Sequence, residues 1–440
     1  MANLRRTYLP AEVTLDNVDK WRGSDRPGTF IKRTISIRLK EVLSGGYGIA
    51  AFGDDIEDPS GFQEGHIDIT KADLQGEIRI LRDAWEEAVF DGLTSSANFD
   101  DIALDVDSRS RDVLKRHNRA LLEVSMPNLA DKGRELYEFI FRSNSDQGAR
   151  VIGERLHRAL TSRRQVIAIH SEDLFLPWWL LHTSLSTADT LEDLVDGFWG
   201  YRHKVVHSFK SSEEYTSCLR PTEASPKVKV GANVDTRLDK EFGYPFVEDV
   251  IEYLDSVSDL VVRRKKSELS LAFTSGSFSD QLAYFGCHAR DPHLEAAPGL
   301  MLEDGELIRR ADFRRWLGKS AGDQQTVYLV NSCGAGQLQG LMFDSFGVEL
   351  MKRGANALVA PVIDVPPIFA GKYALRFLRS TFEQRLRLGD SLHSIARSLL
   401  AEQWNPLGLA YGIYRGFDTH FGPKSGTCTC GKGNPDPGGS

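Results

Sequence analysis

The strongest constraint on the fold of this chain is an alternation between about residues 106 and 421 of short apolar runs with amphipathic helical segments. The runs at Gln165–His170, Leu282–Gly286 and Ala357–Val362 are almost continuously apolar, which is typical of strands buried on both faces. Phe246–Val257 instead carries its apolar residues at helical spacing. Strands that alternate with helices predict an α/β fold, with a mostly parallel sheet flanked by helices.

The same patterns predict the remaining elements and divide the chain into three parts. Further strands are predicted at Val228–Val230, Leu269–Phe273 and Thr326–Val330, and helices at Leu114–Leu122, Gly133–Phe141, Leu341–Lys352 (capped by Gly354), Phe369–Leu388 and Leu392–Glu402. A last apolar stretch, Leu409–Tyr414, closes the predicted fold. Residues 1–105, with strands at Arg33–Glu41 and Ile49–Phe52 and a helix at Ile78–Phe90, form a small mixed region with a predicted regulatory role. Residues 106–421 form the main domain, and residues 422–440, which lack aliphatic and aromatic side chains, form a disordered tail.

Charge and composition exclude several classes of protein. Lys and Arg total 54 against 62 Asp and Glu, so the net charge of −8 argues against direct binding of nucleic acid or an anionic membrane. The chain has no apolar run of the length that a membrane span needs, and its first residues lack the apolar core of a secretory signal. Five cysteines do not make a disulfide framework. We therefore expect a cytoplasmic protein in a reducing compartment.

Groups with nucleophilic and acid–base chemistry follow two of the predicted strands. The strand ending at Gly286 continues as Cys287-His288-Ala289, and the strand ending at Val330 continues as Asn331-Ser332-Cys333-Gly334. Active groups in α/β sheets gather at the carboxyl ends of strands. A thiol becomes a strong nucleophile as the thiolate, and a nearby imidazole is the usual means of forming it. Glycines after Cys333 allow a sharp turn that brings backbone N–H groups toward an oxyanion.

Alternatives remain open from the residues alone. Cys287 is a rival nucleophile, but neighbouring side chains in extended backbone point to opposite faces, which separates it from the reactive side of His288; the same argument sets Ser332 apart from Cys333. A buried structural cysteine and a merely hydrogen-bonded histidine are the other interpretation.

Two cofactor interpretations are weaker. The turn with Gly334, Gly336 and Gly340 superficially fits a dinucleotide fingerprint, yet the expected acidic residue is missing, since Asp364 comes too late. Cys428 and Cys430, near His420, lack the paired spacing of a zinc site. We therefore predict no cofactor and no metal.

Several motifs, in this order, resemble one protein family. They are LLEV at 121–124, GRELYEFI at 133–140, LFLPWWLL at 174–181, AYFGCHARD at 283–291, MLEDGEL at 301–307, VYLVNSCGAG at 327–336 and GANALVAPV at 354–362. Together they resemble CHAT domains, which are caspase-like cysteine peptidases related to separases and caspases. The resemblance covers residues 106–421 and implies a caspase-like fold.

The resemblance also implies roles for individual residues. Cys333 corresponds to the nucleophile and His288 to the base, while the backbone N–H groups of Ala289, Cys333 and Gly334 would hold the oxyanion. Relatives usually have glycine at the position of Ala289. Relatives that cut after Arg or Lys often have aspartate at the position of Asn331. We expect a specificity pocket that includes Asn331 and Asp364, the latter in the loop 362–367. Asn331 favours an uncharged residue before the cut, while Asp364 leaves a basic preference open.

The implied function is a cysteine endopeptidase that cuts a specific protein substrate and is activated by a protein partner. By analogy with bacterial relatives, it would serve antiviral defence or programmed cell death. The region 1–105 and the polar stretch Ser211–Thr236 are the candidate gates. The alternatives are an inactive peptidase-like scaffold that binds a partner, and a dinucleotide-binding α/β enzyme.

Overall fold

A computed structural model describes most of the chain, in two compact units. The described residues are 31–43, 45–53, 55–56, 63–91, 108–142, 145–171, 174, 176–183, 190–208, 217–221, 225–290, 299–317, 325–332, 347–352 and 354–423. Among them, 32–208 and 393–410 belong to the first unit, and Ile31, 217–392 and 411–423 to the second.

The first unit contains five strands of sheet, in the order β3-β2-β1-β4-β5. The strands are β1 (Ile35–Glu41), β2 (Tyr47–Phe52), β3 (Gln63–Ile67), β4 (Val166–His170) and β5 (Lys204–Ser208). β2 pairs antiparallel with β1 and β3, whereas β4 pairs parallel with β1 and β5. The helices are α1 (Lys71–Glu86), which continues as a π-helical turn (Glu87–Asp91), α2 (Ser108–Phe141), α3 (Gln147–Ser162), α4 (Leu191–Asp196) and α5 (Trp199–Arg202), with a 3₁₀ turn at Trp178–Leu180.

The core of the first unit is built around aromatic side chains. Trp199 stacks against Trp178 and Phe141, with ring centroids 6.5 Å and 6.3 Å apart, and Tyr137 meets Trp199 edge-on. The Tyr137 hydroxyl donates to the carbonyl of Gly153 across 2.8 Å, which satisfies its polar atom inside the core. The aromatic rings thus join α2, α3, α5 and the 3₁₀ turn.

The second unit contains the main run of parallel strands. Its order is β15-β14-β13-β9-β7-β8, and every neighbouring pair is parallel except β14 with β15. The strands of the unit are β6 (Cys218–Leu219), β7 (Lys229–Val234), β8 (Asp259–Arg263), β9 (Leu282–Gly286), β10 (His288–Arg290), β11 (Gly299–Met301), β12 (Leu307–Ile308), β13 (Val327–Val330), β14 (Ala357–Pro361), β15 (Tyr411–Tyr414) and β16 (His420–Phe421). β10, β11 and β12 form a separate small antiparallel sheet.

Helices connect most of these strands. They are α6 (Arg237–Phe242), α7 (Phe246–Val257), α8 (Lys266–Thr274), α9 (Arg310–Trp316), α10 (Val348–Lys352), α11 (Pro367–Phe382) and α12 (Leu388–Gln403), in which the chain passes from the second unit to the first; a 3₁₀ turn follows at Pro406–Ala410. The predicted α/β class, with a mostly parallel sheet flanked by helices, is confirmed.

A buried ion pair packs against strand β7 of this sheet. The Arg263 guanidinium donates to both carboxylate oxygens of Asp280, across 2.6 Å and 3.1 Å, and both side chains are less than a tenth exposed. A side chain on Gly231 of β7 would collide with both partners, so the glycine makes room for the pair. Arg263, the last residue of β8, is thus a buried side chain of the unit.

Most of the predicted elements are present, although several differ in bounds or in type. Helix α7 and strand β9 have the predicted bounds, and Gly354, with φ +89°, follows α10 as the predicted cap. The run Leu269–Phe273 was predicted as a strand but forms the helix α8. The helices predicted at 114–122 and 133–141 are one helix, α2, which includes Pro127, and β7 extends four residues beyond its predicted end at Val230.

Part of the predicted organisation lies beyond the described residues. Most of the predicted helix at Leu341–Lys352 and nearly all of the tail at 422–440 lie outside the described residues. Of the region 1–105, the described part supplies β1–β3 and α1 to the first unit, and the predicted domain boundaries stay a prediction. None of the described helices combines the length and apolar character that a membrane crossing needs.

Candidate active site

Three strands of the second unit end side by side, and the candidate residues follow them. In register, Val234 of β7 faces Gly286 of β9, and Val330 of β13 faces Phe285. Beyond the strands, the Asp235 N–H donates to the Gly286 carbonyl across 2.9 Å, and the Asn331 N–H donates to the Phe285 carbonyl across 2.8 Å. The chain segments after β7, β9 and β13 therefore meet at one edge of the sheet, where α/β proteins place their sites.

His288 opens strand β10 directly after this edge. It pairs with Met301 of β11, so the small sheet β10–β11–β12 supports its backbone. The side chain of His288 is 26% exposed, whereas the thiol-bearing Cys287 beside it is fully buried. The alternation predicted for these two neighbours agrees with that contrast, and among the pair the imidazole is the group that solvent and substrate can reach.

A carboxylate that the sequence analysis did not single out lies beside this imidazole. Glu241, on α6, places Oε2 3.2 Å from Nε2 of His288, and its own side chain is about half exposed. A carboxylate at one ring nitrogen favours the proton on that nitrogen and leaves the other available as an acceptor. The arrangement gives His288 the partner that a general base in a nucleophile–base pair commonly has.

Hydrogen bonds connect the turn between β7 and α6 to the small sheet β10–β11–β12 that supports His288. Arg237 donates to both oxygens of the buried Asp235, across 2.8 Å and 2.6 Å, and also to the carbonyl of Leu302 across 3.2 Å. The Thr236 hydroxyl donates to Glu303 across 3.0 Å. These contacts were missed because the predicted strand stopped at Val230, which hid Asp235 as a strand-end residue.

Asn331 is fixed by its neighbours at the end of β13. Its amide Nδ2 donates to the Ala370 carbonyl of α11 across 2.8 Å, and its Oδ1 accepts from the Tyr411 hydroxyl across 2.6 Å. Tyr411 itself stacks on Tyr373, with ring centroids 3.6 Å apart. The next residue, Ser332, is fully buried and its hydroxyl makes no hydrogen bond within the described part of the chain.

The remaining predicted site residues fall into two groups. Ala289, in β10, does not have a positive φ, so alanine adopts the required backbone there without left-handed strain. Asp364 is 8% exposed in a loop whose other residues are also buried. Cys333 and Gly334 lie outside the described residues, as do Gly336, Gly340, Cys428 and Cys430. The described histidines, cysteines and carboxylates form no group of three or more that could hold a metal ion.

Comparison by sequence relates the chain to a protease. It is 24% identical, over 231 residues, to a protein named "Probable protease" from Vitiosangium sp. (strain GDMCC 1.1324). The match covers 49% of this chain and 29% of that protein's length, so the chain spans less than a third of its relative. No established protein-family model matches the chain. The match agrees with the resemblance to a peptidase, and the narrower CHAT assignment stays a prediction.

Solved structures similar to the chain include a separase–securin complex and a cysteine proteinase. The Saccharomyces cerevisiae separase–securin complex has a TM-score of 0.41 and 9% identity, covering 90% of this chain and 30% of that one. The Arg-specific cysteine proteinase gingipain R has a TM-score of 0.38 and 10% identity, covering 79% and 76%.

Proposed function

We propose that this protein is a caspase-like cysteine endopeptidase of the CHAT type, which hydrolyses peptide bonds in a specific protein substrate. The observation that carries the proposal is the position of His288. Its imidazole is partly exposed, stands beside a carboxylate, and follows a strand whose parallel neighbour, β13, leads through Ser332 directly into Cys333. The relationship to a protease supports the same conclusion.

The proposed reaction needs only the chain's own groups and water. His288 takes the proton from the Cys333 thiol, and the thiolate sulfur attacks the carbonyl carbon of the scissile peptide bond. When the tetrahedral intermediate collapses, the carbon–nitrogen bond breaks and the proton passes from His288 to the leaving amine. A water molecule, deprotonated by His288, then hydrolyses the thioester and returns the thiol.

Backbone N–H groups are the proposed stabilisers of the oxyanion. Ala289, Cys333 and Gly334 are the candidates, because donors fixed in advance at the position of developing charge lower the barrier most. The unstrained backbone of Ala289 supports its place in this set, although relatives have glycine there. Asn331 and Asp364 are the proposed residues of a specificity pocket. The neutral amide of Asn331, which is hydrogen-bonded at both its nitrogen and its oxygen, favours an uncharged residue before the cut.

The proposal includes control by a protein partner in the cytoplasm, with antiviral defence or programmed death as the setting. A peptidase with an activated thiolate would damage its host unless the site were mis-set at rest, and a partner would then shift the population toward the active arrangement. The region 1–105 and the stretch Ser211–Thr236 are the proposed gates. The gene for the partner would lie near the gene for this protein.

The test is proteolysis by the purified chain, with and without the products of neighbouring genes, on a peptide library and on casein. We expect cleavage to require the partner and to disappear in Cys333→Ala, while Cys287→Ala, the matched control, retains most of it. Iodoacetamide should modify Cys333 faster than the other cysteines. Cleavage that survives in Cys333→Ala and disappears in Cys287→Ala would overturn the assignment, and equal alkylation of all cysteines would favour an inactive scaffold.

A further inference from the structure

Helix α6 is built so that Glu241 has a defined position. The helix ends at Gly243, whose φ of +68° lets the chain reverse, and the Tyr244 N–H donates back to the Asp239 carbonyl across 3.0 Å. The carboxylate of Asp239 caps the next helix, accepting from the N–H groups of Val247 and Glu248 across 2.8 Å and 3.0 Å. Glu241 therefore projects from a short helix that is fixed at its carboxyl end to α7.

The amino end of α6 is fixed to the same hairpin that carries His288. Arg237 joins the buried Asp235 to the carbonyl of Leu302, and Leu302 directly follows Met301, the partner of His288 in the small sheet. Glu241 and His288 thus belong to two elements that are held at a fixed separation by the Arg237 contacts. Between these two elements, the half-exposed Glu241 side chain reaches His288 across 3.2 Å.

We propose that Glu241 is a positioning residue for His288, which deepens the peptidase function proposed above and rests on it. The Glu241 carboxylate accepts the Nε2 proton of the neutral imidazole, so the ring is held as one tautomer with Nδ1 bare. Nδ1 is then the atom that takes the proton of the Cys333 thiol, and the same carboxylate stabilises the imidazolium that results. Because the contact is half exposed, its use lies in orienting the ring rather than in stabilising the fold.

The experiment follows the ring directly and the thiol separately. The full chain is labelled with ¹⁵N-histidine, and the His288 resonances are assigned by their loss in His288→Gln. Glu241→Ala removes the acceptor, Glu241→Gln keeps an oxygen without charge, and Glu252→Gln, an exposed acidic position on α7, is the matched control. In each protein the ¹⁵N shifts give the tautomer of His288, and iodoacetamide gives the alkylation rate of Cys333.

We expect the Nε2–H tautomer to dominate in the unaltered protein and in Glu252→Gln, to persist in part in Glu241→Gln, and to be lost to a mixture in Glu241→Ala. The alkylation rate of Cys333 should fall about tenfold in Glu241→Ala and less in Glu241→Gln. Thermal midpoints that match across the variants would show that the fold is unchanged.

The two layers of the proposal fail in different ways. An unchanged His288 tautomer in Glu241→Ala would overturn the positioning role, whatever the cysteine does. A changed tautomer with an unchanged Cys333 alkylation rate would overturn the cysteine–histidine pair, and with it the peptidase function, while the contact of Glu241 with His288 would stand.

Discussion

Each unit carries a histidine at the carboxyl end of a parallel strand, and the two have opposite surroundings. His207, near the end of β5 in the first unit, is fully buried; its Nδ1 accepts from the Trp178 indole N–H across 3.2 Å, and its Nε2 lies 3.1 Å from the Ser171 carbonyl. His288, after β9 in the second unit, is a quarter exposed and faces the carboxylate of Glu241. Burial lowers the pKa of His207 to about 4.

The difference supports the proposal that His207 is structural and that His288 moves a proton. The contacts of His207 define it as the neutral Nε2–H tautomer, because the indole donates to one nitrogen and the carbonyl accepts from the other. Protonating it would bury an unpaired charge against the indole donor. The Glu241 contact of His288 is made by one ring nitrogen, Nε2, and leaves the other uncommitted to that partner. Position at a strand end is therefore insufficient, and the partners of the two nitrogens decide the role.

The largest effect we expect is on catalysis. His288→Ala should lower kcat/KM, or the Cys333 alkylation rate, by about 10²- to 10⁴-fold, because the base that forms the thiolate is lost. His207→Ala should leave the rate per folded molecule close to that of the unaltered protein. The measurement is hydrolysis of a substrate from the peptide library, normalised to the folded fraction. Equal losses in both variants would contradict the separation of roles.

The second effect concerns stability, and here we expect the larger change from the substitution of His207. His207→Ala should lower the free energy of unfolding by about 2–4 kcal/mol, because it leaves a cavity and an unpaired Trp178 N–H. His288→Ala should change it by less than about 0.5 kcal/mol, as expected for a partly exposed side chain. Urea unfolding of both variants provides the values. A larger loss in His288→Ala than in His207→Ala would refute the assignment of His207 as the structural residue.

The third effect concerns Asn331 at the end of β13. It tests whether this side chain is structural, like His207, or faces the substrate, as proposed for the site of His288. Asn331→Asp would place a carboxylate oxygen against the Ala370 carbonyl, where the amide now donates, and should destabilise the fold by about 1–3 kcal/mol. We expect no new preference for Arg or Lys before the cut. Urea unfolding and library profiling measure the two outcomes, with Tyr411→Phe testing the other hydrogen bond of Asn331. A stable variant that selects Arg or Lys would instead show that this side chain faces the substrate.

The fourth effect is a pH dependence of stability from the first unit. Burial lowers the pKa of His182 and His207 to about 4 and that of His203 to about 3, below the value near 6.5 of an unfolded chain. Their neutral forms therefore contribute full stability above about pH 6.5, and this is lost as pH falls toward 4. Each adds a slope of at most about 1.4 kcal/mol per pH unit.

The pH dependence is measured as the urea midpoint at several values between about pH 7 and pH 5. His207→Gln should flatten the slope, whereas the same substitution at His288 should leave it nearly unchanged. A slope that is identical in His207→Gln and in the unaltered protein would show that His207 does not titrate on unfolding.

The sequence predicts the sheet of the second unit well where the apolar runs are uninterrupted. β9 and α7 have their predicted bounds because the burial of one and the amphipathic spacing of the other are continuous. β7 was shortened because Gly231 and Asn233 break the strand pattern, although the glycine is needed by the ion pair beside it. Leu269–Phe273 was assigned to a strand because a short apolar run has no distinctive period, and tertiary packing makes it helical.

The candidate site shows the same limit at the level of single side chains. His288 could be found because it follows a strong strand and belongs to a motif. Glu241 could not, because its contact depends on how far α6 stands from β10, a distance that no local pattern contains. The partners of Asn331 are likewise 39 and 80 positions further along the chain.

The aromatic core of the first unit has a practical consequence for spectroscopy. Four of its tryptophans are buried: Trp85, Trp178, Trp179 and Trp199. Within the described part of the second unit, Trp316 is the single tryptophan. Intrinsic fluorescence thus reports mainly on the first unit. Since an imidazolium quenches a neighbouring indole, the emission of Trp178 would also register the charge on His207. Intrinsic fluorescence can therefore report on the first unit, while thiol alkylation and histidine NMR report on the second.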